Sequence, residues 1–413
     1  MAITGEGEFM MSNKSKFTKV QIRFLLALGS VIGLQTLSLT MLNAFINIYG
    51  ETLLWNTPFL CGLALGIYGL TNAAFQIPYG SLSDRTGRKP VILMGLALLA
   101  AGLFLGFLAN NIYLLIVSRA LQGSGAIQGL AYSWINDGVE DDKKSRAMGI
   151  AGIIVAVGGV GAFVGGPLLY KIMSVRYMFL GCALLILITF FFILFFIKED
   201  RVTTNVETAP FAKQMKFLLS NRKVIFLSLC GFINTYLCTV IFLIVPLEIK
   251  HTIGAGNMWM VFLPAILLGM VAMKITASIT DKGRYAPVAM VSFMLVLLGW
   301  ALLIPKGIIF VTAGTILNMV GYMCLTAGIP AQINKLVSQK MRGAANGILQ
   351  SFTYLGIFFG PTIAGFLIGI QYNSIVYLLS VLLALTGCIF SSFCELPSDQ
   401  NAVQSDQNSS GMA

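Results

Sequence analysis

Long apolar runs, separated by short polar or Gly/Pro-marked turns, follow one another along nearly the whole chain. A helix needs about 20 apolar residues at ~1.5 Å each to cross a bilayer core roughly 30 Å thick. Twelve stretches of that kind occur, near 24–47, 57–80, 90–109, 112–136, 146–171, 175–197, 224–248, 258–280, 286–305, 307–331, 344–369 and 373–394. In lipid, each backbone N–H and C=O must be paired within its own span or in a closed barrel. The pattern therefore predicts an all-α polytopic membrane protein with twelve transmembrane helices. The first run is too long for a signal-peptide core and has no clear small-x-small cleavage site, so it is read as a permanent span.

The longest polar interruption, Lys198 to Lys223, carries six basic residues and divides the chain into six spans plus six. Within it Phe211, Met215 and Leu218 recur at helical spacing beside Lys213 and Lys216, which predicts a short interfacial helix. The predicted organisation is an N-terminal tail over 1–23, a six-helix bundle over 24–197, a linker over 198–223, a second bundle over 224–394 and a tail over 395–413. The halves echo each other. GSLSDRTGR at 80–88 returns as ASITDKGR at 277–284, and Gly166-Pro167 returns as Gly360-Pro361. Paired, pseudo-symmetric six-helix bundles with binding between them are the architecture of secondary transporters.

Composition excludes an ordinary soluble enzyme: 57% of residues are hydrophobic and 10% charged, where a soluble domain carries about 25% charge. The formal charge of +11 would point to nucleic acid in a soluble protein. Here 21 of the 27 basic residues fall on the side of the termini, and four (Lys171, Arg176, Lys250, Lys306) on the other. Arg119 and Lys274 lie inside spans. Both termini are therefore cytoplasmic by the positive-inside rule, and no nucleic-acid partner is expected. Seven cysteines without a Cys-x-x-Cys pair and one histidine, His251, offer no metal or disulfide framework, so no cofactor and no metal are expected. An intramembrane lipid enzyme would need paired carboxylates, a metal cluster or a histidine dyad near the surface. The one acidic cluster, Glu140 to Asp142, lies on the opposite side from His251.

Three segments carry chemistry. In Gly80-Ser-Leu-Ser-Asp84-Arg85-Thr-Gly87-Arg88-Lys89, Gly80 permits close approach of a neighbouring helix. Asp84 can accept backbone N–H bonds at a helix N-terminus, and Arg85, Arg88 and Lys89 form a basic cluster. Asp137, at the cytoplasmic end of span four, is the natural partner for Arg88. In Arg119-Ala-Leu-Gln122-Gly123-Ser-Gly125-Ala126, the guanidinium lies within a span. It costs at least about 2.5 kcal/mol there unless it meets a partner or a wet cavity, which makes it functional by default. In span five, Gly161 and Gly165 are spaced for tight packing beside Gly158, Gly159 and Gly166, and Pro167 bends the span.

Together these segments resemble the major facilitator superfamily, and within it the twelve-span drug/proton antiporter branch of YajR-type efflux transporters. The likeness covers all twelve spans and is densest from Gly66 to Tyr170. The segment at 80–89 resembles motif A, that at 119–126 motif B, and the span-five glycines motif C. The motif C likeness departs at Ala162, where glycine is typical, and at Tyr170-Lys171, where Gly-Gly is. The resemblance implies that Gly80, Asp84, Arg85, Arg88 and Asp137 latch the two halves in an outward-open state and release on the inward swing. It associates Arg119 with proton coupling. It also implies a central cavity lined by spans one, four, seven and ten, with Gln35, Gln122, Asn234, Tyr236, Asn318 and Tyr322 as candidates, joined by Tyr354 of span eleven.

The expected protein is a monomeric secondary active transporter in a bacterial inner membrane. It is no enzyme and works by alternating access, exporting a small amphipathic compound or metabolite in exchange for protons. None of the sixteen acids lies in a span interior. Proton coupling would fall to Asp84, Asp137, Glu248 or a carboxylate on the substrate. The cation-only interior keeps an alternative open, an organic-anion exchanger or lipid-linked substrate flippase in which Arg119 and Lys274 hold an anionic group. Against it, Lys274 is close enough to the cytoplasmic end to snorkel.

Overall fold

A computed structural model describes residues 17–125, 127–140, 143–197, 217–305, 307–338 and 341–394. The linker helix expected over 211–218 lies almost wholly outside these residues, as do residues 1–16 of the N-terminal tail and the whole C-terminal tail; the tail expected to reach residue 23 gives way to helix already at Lys19. Among the described residues the first half comprises α1 (Lys19–Asn43), the short α2 (Ile46–Gly50), α3 (Pro58–Thr86), α4 (Arg88–Leu108), α5 (Ile112–Ser124), α6 (Gln128–Asp137), α7 (Lys144–Ile172) and α8 (Val175–Phe196). The second half comprises α9 (Arg222–Thr252), α10 (Trp259–Asp281), α11 (Tyr285–Leu302), α12 (Ile308–Leu336), α13 (Arg342–Gly369) and α14 (Asn373–Ser392).

Local sequence sets the helix starts. Thr18 and Gln21 form a reciprocal capping box at α1, and Thr57 caps α3 with Pro58 as its first residue, where the missing N–H has no partner to lose. Eleven described helices are long and apolar enough to cross a bilayer. The twelfth crossing is made by α5 and α6 together, which corrects the continuous fourth span expected over 112–136. The interruption follows Gly123 and Gly125, residues about 1 kcal/mol poorer than alanine in a helix interior. Their missing side chains let α5 press onto its neighbours: a β-carbon on Gly123 would run into the Tyr68 backbone, and one on Gly125 would stand 2.7 Å from the Gly95 carbonyl oxygen. The freed Gly125 carbonyl accepts from the Ile127 N–H at 2.7 Å and from Gln35 Nε2 at 3.4 Å.

Packing repeats between the halves. In the first, α1 packs on α7, α3 on α5, and α4 on α5 and α8; in the second, α9 packs on α13, α10 on α12, and α11 on α12 and α14. The same pairs of spans meet in the same order, which makes two pseudo-symmetric six-helix bundles. The largest contact between the bundles is α3 against α13. It runs along glycines that bring the helix backbones together. A β-carbon on Gly66 would stand 2.5 Å from the Phe358 carbonyl oxygen, one on Gly69 2.5 Å from that of Tyr354, and one on Gly365 2.5 Å from that of Pro58. Gly62 is equally crowded by the Pro361 carbonyl.

These contacts occupy the outer half of α3. At its inner end, a β-carbon on Gly80 would meet nothing within 4 Å, and the same holds for Gly149 and Gly152 on α7 and Gly343 and Gly347 on α13. The bundles are thus joined at the outer side and parted at the cytoplasmic side, an inward-open arrangement. Gly66→Leu is expected to wedge α3 from α13 and cut transport at least tenfold. Gly80→Leu, placed in open space, should leave the folded yield of this state unchanged; comparing monodisperse yield and transport for the two variants checks this.

Candidate functional site

Arg119 lies two turns into α5, about 10 Å below its outer end at 1.5 Å per residue. Its side chain is fully buried, with 0% exposure. Nη1 donates to Gln122 Oε1 at 2.6 Å, Nη2 to Asn43 Oδ1 at 2.6 Å, and Nε to the Ala64 carbonyl at 3.4 Å. The Tyr68 ring lies under the guanidinium, 5.3 Å from centroid to Cζ, so the cation also meets an aromatic face. Gln122 Nε2 continues the network to Ser118 Oγ at 3.0 Å, which donates to the Gly102 carbonyl at 2.7 Å. The positive charge is therefore held by neutral dipoles contributed by α1, α3 and α5, with no ion pair to a described carboxylate. In a low-dielectric interior such a charge responds strongly to any second charge brought near it. Two unit charges ~10 Å apart at an effective dielectric constant of ~20 interact by about 1.7 kcal/mol.

A second cluster gathers at the cytoplasmic turn between α3 and α4. Arg88 Nη1 pairs with Asp84 Oδ1 at 2.8 Å and donates to Ser83 Oγ at 2.5 Å, while Arg88 Nε pairs with Asp137 Oδ2 at 3.1 Å. One guanidinium fork thereby ties the end of α3 to the end of α6. Lys89 Nζ donates to the Leu194 and Ile197 carbonyls at 2.9 and 2.6 Å, capping the C-terminal end of α8, where a cation suits the helix dipole. Asp84 makes no backbone hydrogen bond to a described residue and is exposed, as is Arg85. The N-terminus of a facing helix that Asp84 was expected to complement is not against it in this conformation. The cluster sits wholly within the first half.

The sequence profile of the Major Facilitator Superfamily matches residues 26–337 and, in a second register, 227–410. The chain belongs to that superfamily. Among its relatives, the inner membrane transport protein YajR of Escherichia coli (strain K12) is 28% identical over 379 residues, covering 90% of this chain and 83% of YajR. The multi-drug resistance efflux pump PmrA of Streptococcus pneumoniae is 25% identical over 376 residues, covering 86% and 91%. Among solved structures, a bacterial homolog of the human lysosomal transporter Spinster, in an inward-facing and occupied conformation, superposes with a TM-score of 0.76 at 13% identity. That likeness covers 93% of this chain and all of the other and shows the fold; the multi-pass membrane location follows from the family match and the inner-membrane relative.

As a member of the Major Facilitator Superfamily, the chain has a secondary transporter's central region between its bundles, and the candidate residues distribute unevenly around it. Gln35 and Asn234 sit on α1 and α9, each buried and holding a neighbouring span. Gln35 donates to the Gly125 carbonyl, and Asn234 Nδ2 to the Tyr322 carbonyl and Thr326 Oγ1, both at 3.2 Å. In each the amide oxygen is left without a partner. Tyr236 is buried, and its backbone packs on Gly360. Tyr354 is buried, its carbonyl against Gly69 at the α3–α13 interface.

Asn318 does not join the cavity candidates. Its amide donates to Gly314 within α12 at 2.9 Å and fills the space over Gly299 of α11. Lys274 is exposed on α10 and makes no hydrogen bond or ion pair with a described residue. It is not among Arg119's partners, so the two cations do not form a joint anion site in this state. In span five, Gly161 and Gly165 are not the packing glycines: a β-carbon on Gly161 meets only Leu37 Cδ1 at 3.7 Å, and one on Gly165 meets nothing within 4 Å. The face against α1 is made instead by Gly158, Ala162 and Gly166, at four-residue spacing one position round the helix. Ala162, a departure from the motif, is 1% exposed on that face. Gly360 and Pro361 meet α9 and α3 respectively.

Asn43, one of the three amide side chains that span one offers, and Tyr68 complete the Arg119 cage. A polar residue at the end of span one and an aromatic in span two carry no spacing that ties them to span four.

Proposed function

We propose that the chain is a proton-coupled exporter of small amphipathic compounds working by alternating access. The observation that carries the reading is Arg119, a fully buried cation caged by Asn43, Gln122, Ala64 and Tyr68 with no counter-charge among the described residues. A permanent charge held this way tunes the energy of any proton or charged substrate that enters the neighbouring cavity, and it survives only where that coupling compensates its desolvation. The relative PmrA, a multi-drug resistance efflux pump, and the inward-open arrangement of the bundles fit an exporter loading from the cytoplasm. Gln35 and Asn234, buried here with amide oxygens that have no hydrogen-bond partner, would accept hydrogen bonds from a substrate that parts the spans around them.

The test is export of ethidium, a lipophilic cation, from proteoliposomes with an imposed pH gradient. Export that stops when the gradient is collapsed with nigericin supports the reading. Export unchanged by its collapse overturns proton antiport.

A further inference from the structure

We infer that the outer mouth is closed by a lock that joins the two bundles, built from the Glu51–Lys250 ion pair, an Asn47 bond to the α9 backbone at Leu243, and a plate of three stacked rings beneath. Of the ion pairs between described residues, Arg88–Asp84, Arg88–Asp137 and Lys143–Glu140 stay within the first half. Glu51–Lys250 crosses to the second.

Each partner is fixed to its own bundle. Glu51 follows α2, whose five residues are all buried and whose Tyr49 hydroxyl donates to the Gly106 and Ala109 carbonyls, both at 3.0 Å. The next turn is pinned by Leu54 N–H to the Asn110 carbonyl at 3.2 Å and Ile112 N–H to the Leu54 carbonyl at 3.1 Å. Lys250 is in the last turn of α9. Neither side chain needs a loop to be ordered before it can pair.

The second element is a side chain of the first bundle bonded to the backbone of the second. Asn47 Nδ2 donates to the Leu243 carbonyl of α9 at 2.5 Å and lies 3.5 Å from that of Phe242, whose helical donor is missing because Pro246 has no N–H. Asn47 is 2% exposed. This bond between the halves lasts only while the outer side is closed.

Below, Phe163 of α7 stacks on Phe262 of α10 at 5.2 Å and on Phe242 of α9 at 5.9 Å, and Phe242 on Phe262 at 5.8 Å, with interplanar angles of 28°, 22° and 12°. Phe163 belongs to one bundle and the other two rings to its partner, so opening the mouth must part them. These contacts hold the bundles together on the side where the largest glycine seam also runs, and the ion pair is their solvent-facing part. It sets how long the protein dwells inward-open.

The inference rests on alternating access, and its test reads the outer mouth without transport. In an Ala255→Cys background, a buried position on the 3-10 turn Ala255–Asn257 that packs against α7 of the other bundle and is no part of the lock, a membrane-impermeant maleimide is added to the outside of right-side-out vesicles. The seven native cysteines are buried, and labelling of the parent without Ala255→Cys is subtracted. Glu51→Lys, which replaces attraction by repulsion, is expected to raise the labelling rate about threefold to tenfold, the range for an exposed pair lost and a like-charge pair gained. The double reversal Glu51→Lys/Lys250→Glu should return it to within about twofold of the parent, and the rise in the single variant should shrink as salt is raised from 0.05 to 0.5 M. The double variant also guards against misfolding of the single one. Unchanged labelling in Glu51→Lys, or no rescue by the double reversal in a monodisperse protein, overturns the lock. Labelling that behaves as expected in a protein that moves no substrate overturns the exporter reading and leaves the lock standing.

Discussion

Arg119→Ala is expected to lower ethidium export at least about a hundredfold while leaving membrane yield and thermal-unfolding midpoint close to those of the parent. The two parts of that expectation come from the same geometry. The guanidinium is fully buried and its partners are neutral oxygens and a ring. Removing it deletes an unpaired charge from the interior rather than stranding one, so the strong destabilisation that follows breaking a buried ion pair is not expected. What is lost is the field that discriminates proton-loaded from proton-free states, worth about 1.7 kcal/mol for a unit charge ~10 Å away, together with the bridge from Asn43 to Gln122. Arg119→Lys keeps the charge and loses the bridge, since an ammonium cannot place two donors 2.6 Å from acceptors on different spans as a guanidinium fork does. It should retain under about a tenth of parental export. Export at the parental rate by the alanine variant removes Arg119 from the mechanism.

Asp84→Asn is expected to abolish transport in a protein that still folds and inserts. In the inward-open arrangement Asp84 is 66% exposed and paired with Arg88 at 2.8 Å. A pair so exposed contributes at most about 1 kcal/mol to stability. A loss of transport beyond tenfold therefore cannot come from unfolding, and must come from a conformation in which the carboxylate does more. That conformation is the one in which the cytoplasmic ends of the bundles meet. The resemblance to motif A implies that Gly80, which faces open space here, would there come against the opposite bundle and that Asp84 would meet a helix N-terminus. Asparagine keeps the size and removes the charge. Proteoliposome export measured beside monodisperse yield decides the point, and parental transport by the variant removes the latch.

The fold was legible because membrane spans are written in composition: a backbone in lipid has no alternative to helices at 57% hydrophobic content and with twelve runs of the right length. The exception is span four. Gly123 and Gly125 were visible as motif residues, but whether two glycines interrupt a helix depends on how closely Tyr68 and Gly95 approach, which is a tertiary matter. Arg119 was legible for a physical reason, since a guanidinium in a span demands partners; which partners it takes was not, because Asn43 and Tyr68 come from other spans. The same limit misdirected the span-five reading. Four-residue spacing identifies a packing stripe but not which of two overlapping stripes faces α1, and Gly158, Ala162 and Gly166 proved to be that face. The outer lock was illegible because Glu51 and Lys250 are 199 positions apart. A glutamate and a lysine at loop ends look like solvated charges until the bundles are placed side by side.

Alternation between this inward-open arrangement and one closed at the cytoplasmic side is tested most directly by pulsed electron spin resonance between labels at Ser81→Cys on α3 and Gln350→Cys on α13. Both side chains are exposed and neither belongs to the latch. Alternating access predicts two distance populations in the parent, the longer one that of the inward-open arrangement, and a shift towards the longer in Asp84→Asn as the cytoplasmic latch fails. A single distance, unchanged by Asp84→Asn, would contradict it.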